Sequence, residues 1–226
     1  MYTLHFAPDN ASLIVRLVLE SAGLPYRTAL VDRSLRQQDS AAYRAINPTG
    51  LIPTLETPQG PIAETAAILL WLSDTHGIGI GPDSPQRLVL LRWLIFTSNT
   101  AHADLRQLFY PDHYVPAAAT EAHHDILVAR MIRHFTLLDA AADHHPDVFA
   151  PSGIMAPYLA ALMRWSVLYP RGQRPWFHLT RFPALTRMAG SLEASEHARR
   201  CARLEGLGPT PFTAPHLATP PEGSAT

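Results

Sequence analysis

The sequence predicts two kinds of architecture in one chain, an α/β domain followed by an all-α domain. Two observations carry this reading. Over the first 76 residues, short alternating stretches are interleaved with helical spacings in the order βαβ, α, ββ, α. Beyond a Gly, Pro, Asp and Ser stretch at 77–85, only helical periodicity remains.

The elements follow in order. Tyr2 to Phe6 alternates as a strand, and Ala11 to Ala22 carries Leu13, Ile14, Leu17 and Val18 on one helical face before Gly23 ends it. Tyr26 to Val31 reads as a second strand, parallel to the first because a helix intervenes. A short helix over Ser40 to Ala45 precedes the turn signal Asn47-Pro48-Thr49-Gly50. Leu51 to Thr57 is a strand, Pro58-Gln59-Gly60 a hairpin turn, and Pro61 to Ala63 its partner; Glu64 to Thr75 closes the block as a helix. Past the linker, helices are expected over Gln86 to Phe109, Ala117 to Ala142, Pro157 to Leu168, Pro183 to Met188 and Ser195 to Leu204. The third is apolar nearly all round and so central. The expected divisions are 1–76, 77–85, 86–207, and a tail at 208–226. Its five prolines among small polar residues predict a mobile or loosely packed segment.

Composition narrows the function. With 226 residues, 47% of them hydrophobic, the chain can bury a sizeable core. A formal net charge of -1 gives no footprint for nucleic acid or an anionic membrane. Nothing approaches a membrane span, and Met1 to His5 begins a strand without a basic leader, so a cytoplasmic protein is expected. Cys201 is the single cysteine, which excludes an internal disulfide and any Cys-x-x-Cys chemistry. All eighteen basic residues are Arg, which excludes Schiff-base lysines and a phosphate-loop lysine. The twelve His invite a metal, but His123-His124, His134 and His144-His145 lack the H-E-x-x-H spacing; no metal is expected.

One ordered pair of motifs stands out: Asn47-Pro-Thr-Gly-Leu-Ile-Pro-Thr-Leu55, then Glu64-Thr65 at a helix start. Within this architecture the pair resembles cytosolic glutathione transferases, with their thioredoxin-like first domain and helical second domain, over about residues 1–205. The segment Pro8-Asp-Asn-Ala-Ser-Leu13 is most similar to the P-G-A-C-S-L of the bacterial beta class, with Ala11 where that class has cysteine. A second echo is Trp93-Leu-Ile-Phe-Thr-Ser-Asn-Thr-Ala-His102, similar to that class's W-L-x-[YF]-x-x-x-x-x-H.

The resemblance implies glutathione as co-substrate and assigns residues to it. Ile52, before a cis Pro53, pairs its backbone with the cysteinyl unit as an added strand does. Thr65 holds the γ-glutamyl carboxylate at the helix N-terminus, and Glu64 takes the ammonium. Arg36 is the candidate cation for the glycyl end. Without the cysteine, Ser12 and Asn10 are left as donors to the thiolate, with a plain helix cap the alternative for Ser12; Tyr2 ranks below Ser12. His102 is a candidate for hydrogen bonding or proton transfer near the sulfur. Phe109, Tyr110 and Trp165 are expected in an apolar pocket. The central helix departs from the family, with Gly153 and Ala156 in place of its capping pair, so Pro157 is expected in the first turn.

These residues imply conjugation of the thiolate to a small hydrophobic electrophile by a cytoplasmic, detoxifying homodimer. Two alternatives stay open: a non-catalytic protein that binds glutathione or hydrophobic ligands, and a glutathione-dependent isomerase or dehalogenase.

Overall fold

The structure, a computed structural model, describes residues 1–219. A four-stranded sheet of order β2-β1-β3-β4 forms the first domain. Its strands are β1 (Tyr2–Phe6), β2 (Tyr26–Leu30), β3 (Thr54–Thr57) and β4 (Gly60–Ala63). β1 runs parallel to β2 with Tyr2 opposite Tyr26, and antiparallel to β3 with Leu4 opposite Leu55. Helices α1 (Ser12–Ser21), α2 (Ala41–Ile46) and α3 (Thr65–His76) complete the domain. In α1 every side chain from Ser12 to Leu19 is buried, because the helix packs against β1 and α3 and also against the helical domain.

The expected 86–109 helix is three pieces: α4 (Arg87–Phe96), a π-helical turn (Thr97–His102) and α5 (Ala103–Phe109). The helical spacing is continuous, so the widened turn leaves no trace in the periodicity. α6 (Thr120–His144), α7 (Met155–Leu168), α8 (Pro183–Glu193) and α9 (Glu196–Glu205) follow. α7 is the axis of the molecule, with Met155 to Ser166 all buried. No side chain caps it, and Pro157 sits in its first turn, where a missing N–H costs nothing.

One expectation is corrected. The tail from 208 to 219 is packed: Phe212 is 1% exposed, and Glu193 Oε2 accepts hydrogen bonds from the N–H groups of Phe212 and Thr213. The carbonyls of Pro211 and His216 accept from the Arg164 guanidinium. Composition undercounted this segment because its anchors are backbone groups. Residues 220–226 lie outside the described residues. Among the described residues no helix is long and apolar enough to cross a membrane.

Candidate functional site

The motif at 47–55 folds around one amide. Asn47 Nδ2 donates to Leu51 O (2.8 Å) and Thr54 Oγ1 (3.2 Å), while its Oδ1 accepts from Thr49 Oγ1 (2.8 Å). Tyr43 adds a second brace, its hydroxyl donating to Leu51 O at 2.7 Å. Gly50 has φ 67°, and a side chain there would meet Gln38 O at 2.9 Å, so this position requires glycine. The result is a fixed loop that presents Ile52 ahead of a cis Pro53. Among the described residues no hydrogen bond engages the N–H or C=O of Ile52.

Beside it, α3 starts at Thr65, with Glu64 preceding it at φ 67° and ψ 113°. A non-glycine residue there is held in a costly conformation, about 1–3 kcal/mol by the usual scale. The unpaired N–H groups of the first turn and the helix dipole make this end an anion seat.

These residues open on one cavity of about 740 Å³ between the domains. It is lined by Asn10, Arg36, Ile52, Pro53, Glu64, Thr65 and His102. Phe109, Tyr110 and Trp165 are on its walls, together with Arg33, Arg44, Arg106 and Tyr158, which the sequence reading had not singled out. At the rim Asp39 accepts from both Arg36 (2.8 Å) and Arg44 (2.8 Å), and these bonds, Arg44's foremost, hold its carboxyl below the usual range.

Ser12 is the exception, placed away from the cavity. Its side chain is fully buried, donates to Ala7 O at 3.1 Å and accepts from Ala7 N at 3.3 Å. It ties the end of β1 to the start of α1 and does not line the cavity. Asn10 does. Its Oδ1 accepts from Ala11 N at 2.8 Å, which leaves the Nδ2 amide as its donor. Tyr2 points elsewhere, to His76 Nε2 at 2.7 Å.

The π-helical turn lets Ser98 and His102 both face the cavity. His102 Nδ1 lies 3.0 Å from the Tyr158 hydroxyl, and its ring is 5.8 Å from that of Trp165. Burial, followed by the Arg106 charge, pushes the imidazole down to about 4, so His102 is neutral at physiological pH. Burial also pushes the Tyr158 phenol up.

Behind the loop lies a buried network that sequence reasoning missed. Asp9 (φ 52°) is fully buried, and its carboxylate accepts from Arg164 Nε (2.7 Å) and Nη2 (2.9 Å), Trp165 Nε1 (2.9 Å) and the Tyr169 hydroxyl (2.8 Å). Its N–H donates to Glu205 Oε2 at 3.0 Å. Glu205 Oε1 also lies 3.0 Å from Arg16 Nε, but off the N–H direction, so the contact is an ion pair without a hydrogen bond. The network clamps the loop carrying Asn10 between α7 and α9. The available signal was Arg164 inside an apolar helix, since a buried charge demands a partner. Among the described residues no group of three or more His, Cys, Asp or Glu could hold a metal ion.

The chain is similar to known proteins in sequence and in fold. Residues 11–75 match the family model described as glutathione S-transferase, N-terminal domain. The chain is 27% identical over 175 residues to the glutathione S-transferase GST-4.5 of Xanthomonas campestris, covering 72% of this chain and 81% of that one. It is 29% identical over 123 residues to the disulfide-bond oxidoreductase YfcG of Escherichia coli, covering 51% of this chain and 57% of that one. A solved glutathione transferase homologue from Sulfitobacter, with bound glutathione, superposes with a TM-score of 0.77 at 22% identity, covering 90% of this chain and 98% of that one. The first domain thus matches the glutathione S-transferase N-terminal domain family over residues 11–75, and the fold of both domains is that of solved glutathione transferases.

Proposed function

We propose that this chain binds reduced glutathione in the interdomain cavity and joins its sulfur to the electrophilic carbon of a small, largely apolar molecule. The observation that carries the reading is the pairing of two features: the unengaged N–H and C=O of Ile52, and the N-terminus of α3 headed by Thr65. A tripeptide with a peptide backbone at its centre and an α-carboxylate at one end fits that pair. Glu64 takes the ammonium, and the Arg36 and Arg44 rim receives the glycyl carboxylate.

The sulfur then lies toward the Asn10 loop. Asn10 Nδ2 and the positive end of α1 favour the thiolate, while Ser12 holds the loop in shape. The thiol proton leaves to solvent, the thiolate attacks carbon, a carbon–sulfur bond forms and the leaving group departs with its electron pair. His102, neutral, contributes a polar contact rather than an acidic proton. Disulfide exchange through a protein thiol has no support, because Cys201 is buried in α9 and burial pushes its thiol up. Homodimer assembly, a cytoplasmic place and a detoxifying role belong to the same proposal.

The test is a conjugation assay with benzyl chloride and reduced glutathione, the thioether being identified by mass spectrometry. Product well above the uncatalysed rate, abolished by excess of the non-reactive S-methylglutathione, supports conjugation. No product above that rate from a chain that still binds glutathione assigns it to the binding proteins of this fold.

A further inference from the structure

Once glutathione's charged ends are placed as proposed, Arg106 is a cation of the cavity that they leave without a task. Arg106 belongs to α5, in the helical domain, and lines the cavity with Phe109, Tyr110 and Trp165. Its partners among the described residues are phenols: Nη1 donates to the Tyr114 hydroxyl at 2.7 Å, and Cζ sits 5.4 Å from the Tyr110 ring centroid. Arg36 and Arg44 at the rim differ, since both meet the carboxylate of Asp39. Phenols orient a guanidinium but bring no opposite charge.

Tyr110 is a meeting point. Its ring carries Arg106, and its hydroxyl accepts from Arg33 Nη2 at 3.0 Å, so guanidinium groups from the two domains converge on one side chain. The His113 ring stacks on the same ring at 5.5 Å and 15°. A guanidinium held by phenols beside an apolar wall forms a seat for a planar anion with an aromatic or unsaturated body, which Trp165 and Phe109 would cover.

We propose that the second substrate of this chain is an electrophile bearing a carboxylate, anchored by Arg106 on the helical side of the cavity with the Tyr110 ring framing the seat. The inference rests on the reading that glutathione fills the other side. The carboxylate fixes the pose of the electrophile, so that discrimination between acids and their neutral analogues arises at Arg106 rather than at the sulfur.

Binding tests this without requiring turnover. S-benzylglutathione and its 3- and 4-carboxybenzyl counterparts are titrated calorimetrically into the wild-type chain and into Arg106→Gln and Arg106→Lys variants. The proposal expects at least one carboxylated conjugate to bind about tenfold or more tighter than S-benzylglutathione. It expects that preference to vanish in Arg106→Gln and to survive in part in Arg106→Lys, with S-benzylglutathione affinity unchanged throughout. Equal affinity of all three ligands for the wild type overturns the anion seat and leaves the glutathione reading standing. A uniform loss for all three in Arg106→Gln also overturns it, assigning Arg106 to glutathione or to the fold. If no conjugate binds the wild type, the glutathione reading fails and this inference fails with it.

Discussion

Replacing Ser12 with alanine removes two buried hydrogen bonds at once and strands the N–H and C=O of Ala7 in the protein interior. The expected cost is about 1–3 kcal/mol of stability, read as a lower urea midpoint. The thiol of bound glutathione, followed by the ultraviolet absorbance of its thiolate, is expected to titrate unchanged in Ser12→Ala. In Asn10→Ala it is expected to move up by about one unit, the equivalent of about 1.4 kcal/mol. The reverse ranking would return Ser12 to the sulfur. His102 makes a separate prediction: with its imidazole pushed down to about 4, it stays neutral from pH 5 to 8. His102→Asn therefore leaves the shape of the pH–rate profile over that range unaltered, while a lost acidic limb would show that the ring titrates there. From sequence alone Ser12 and Asn10 could not be ranked, because both are hydrogen-bonding side chains two residues apart. Their separation needed the direction of each side chain, and that is set by whether Ala7 or the cavity lies opposite.

At the level of elements, the β1–α1 loop is held by α7 and α9 through Asp9. Asp9→Asn leaves Arg164 buried without its counter-charge, an arrangement that costs about 3–5 kcal/mol. The expected signature is a large fall in thermal midpoint together with weaker glutathione binding, since the loop carrying Asn10 loses its clamp. A fall in stability with unchanged binding would detach the network from the site. Glu205 gives the same network a pH dependence. Burial, opposed by the Arg16 charge, lifts its carboxyl from 4.5 to about 7. The folded chain thus holds a proton that the unfolded chain releases between those values, so this stabilisation is complete below pH 4.5 and is lost as pH rises through 7. Glu205→Gln keeps an acceptor for the Asp9 N–H, and its urea midpoint is expected to vary less between pH 5 and pH 8 than that of the wild type. Helix positions were legible because Leu13, Ile14, Leu17 and Val18 declare a face by their spacing. The π-helical turn at 97–102 was not, since one extra residue per turn changes where Ser98 and His102 point without changing their polarity. Nor was the packing of Phe212, whose segment is anchored by backbone groups that composition does not count.

Across the whole molecule, the site exists only because two differently built halves meet. The sheet domain supplies the Ile52 backbone, Glu64 and Thr65, and the helical domain supplies His102, Arg106 and Trp165. The first set was readable because Asn47, Gly50, Pro53 and Thr65 are residue types that particular backbone geometries require. The second set was largely hidden: a wall of arginines and aromatics has no required spacing, and only the folded chain brings Arg33 and Arg106 to the same tyrosine. The measurement that bears most directly on the central claim is a calorimetric titration of reduced glutathione into the wild-type chain and into Thr65→Val. The account predicts one saturable site per chain below millimolar concentration, weakened about tenfold or more when the Thr65 hydroxyl is removed. Absence of saturable heat at millimolar glutathione, or equal affinity in the two proteins, would contradict it.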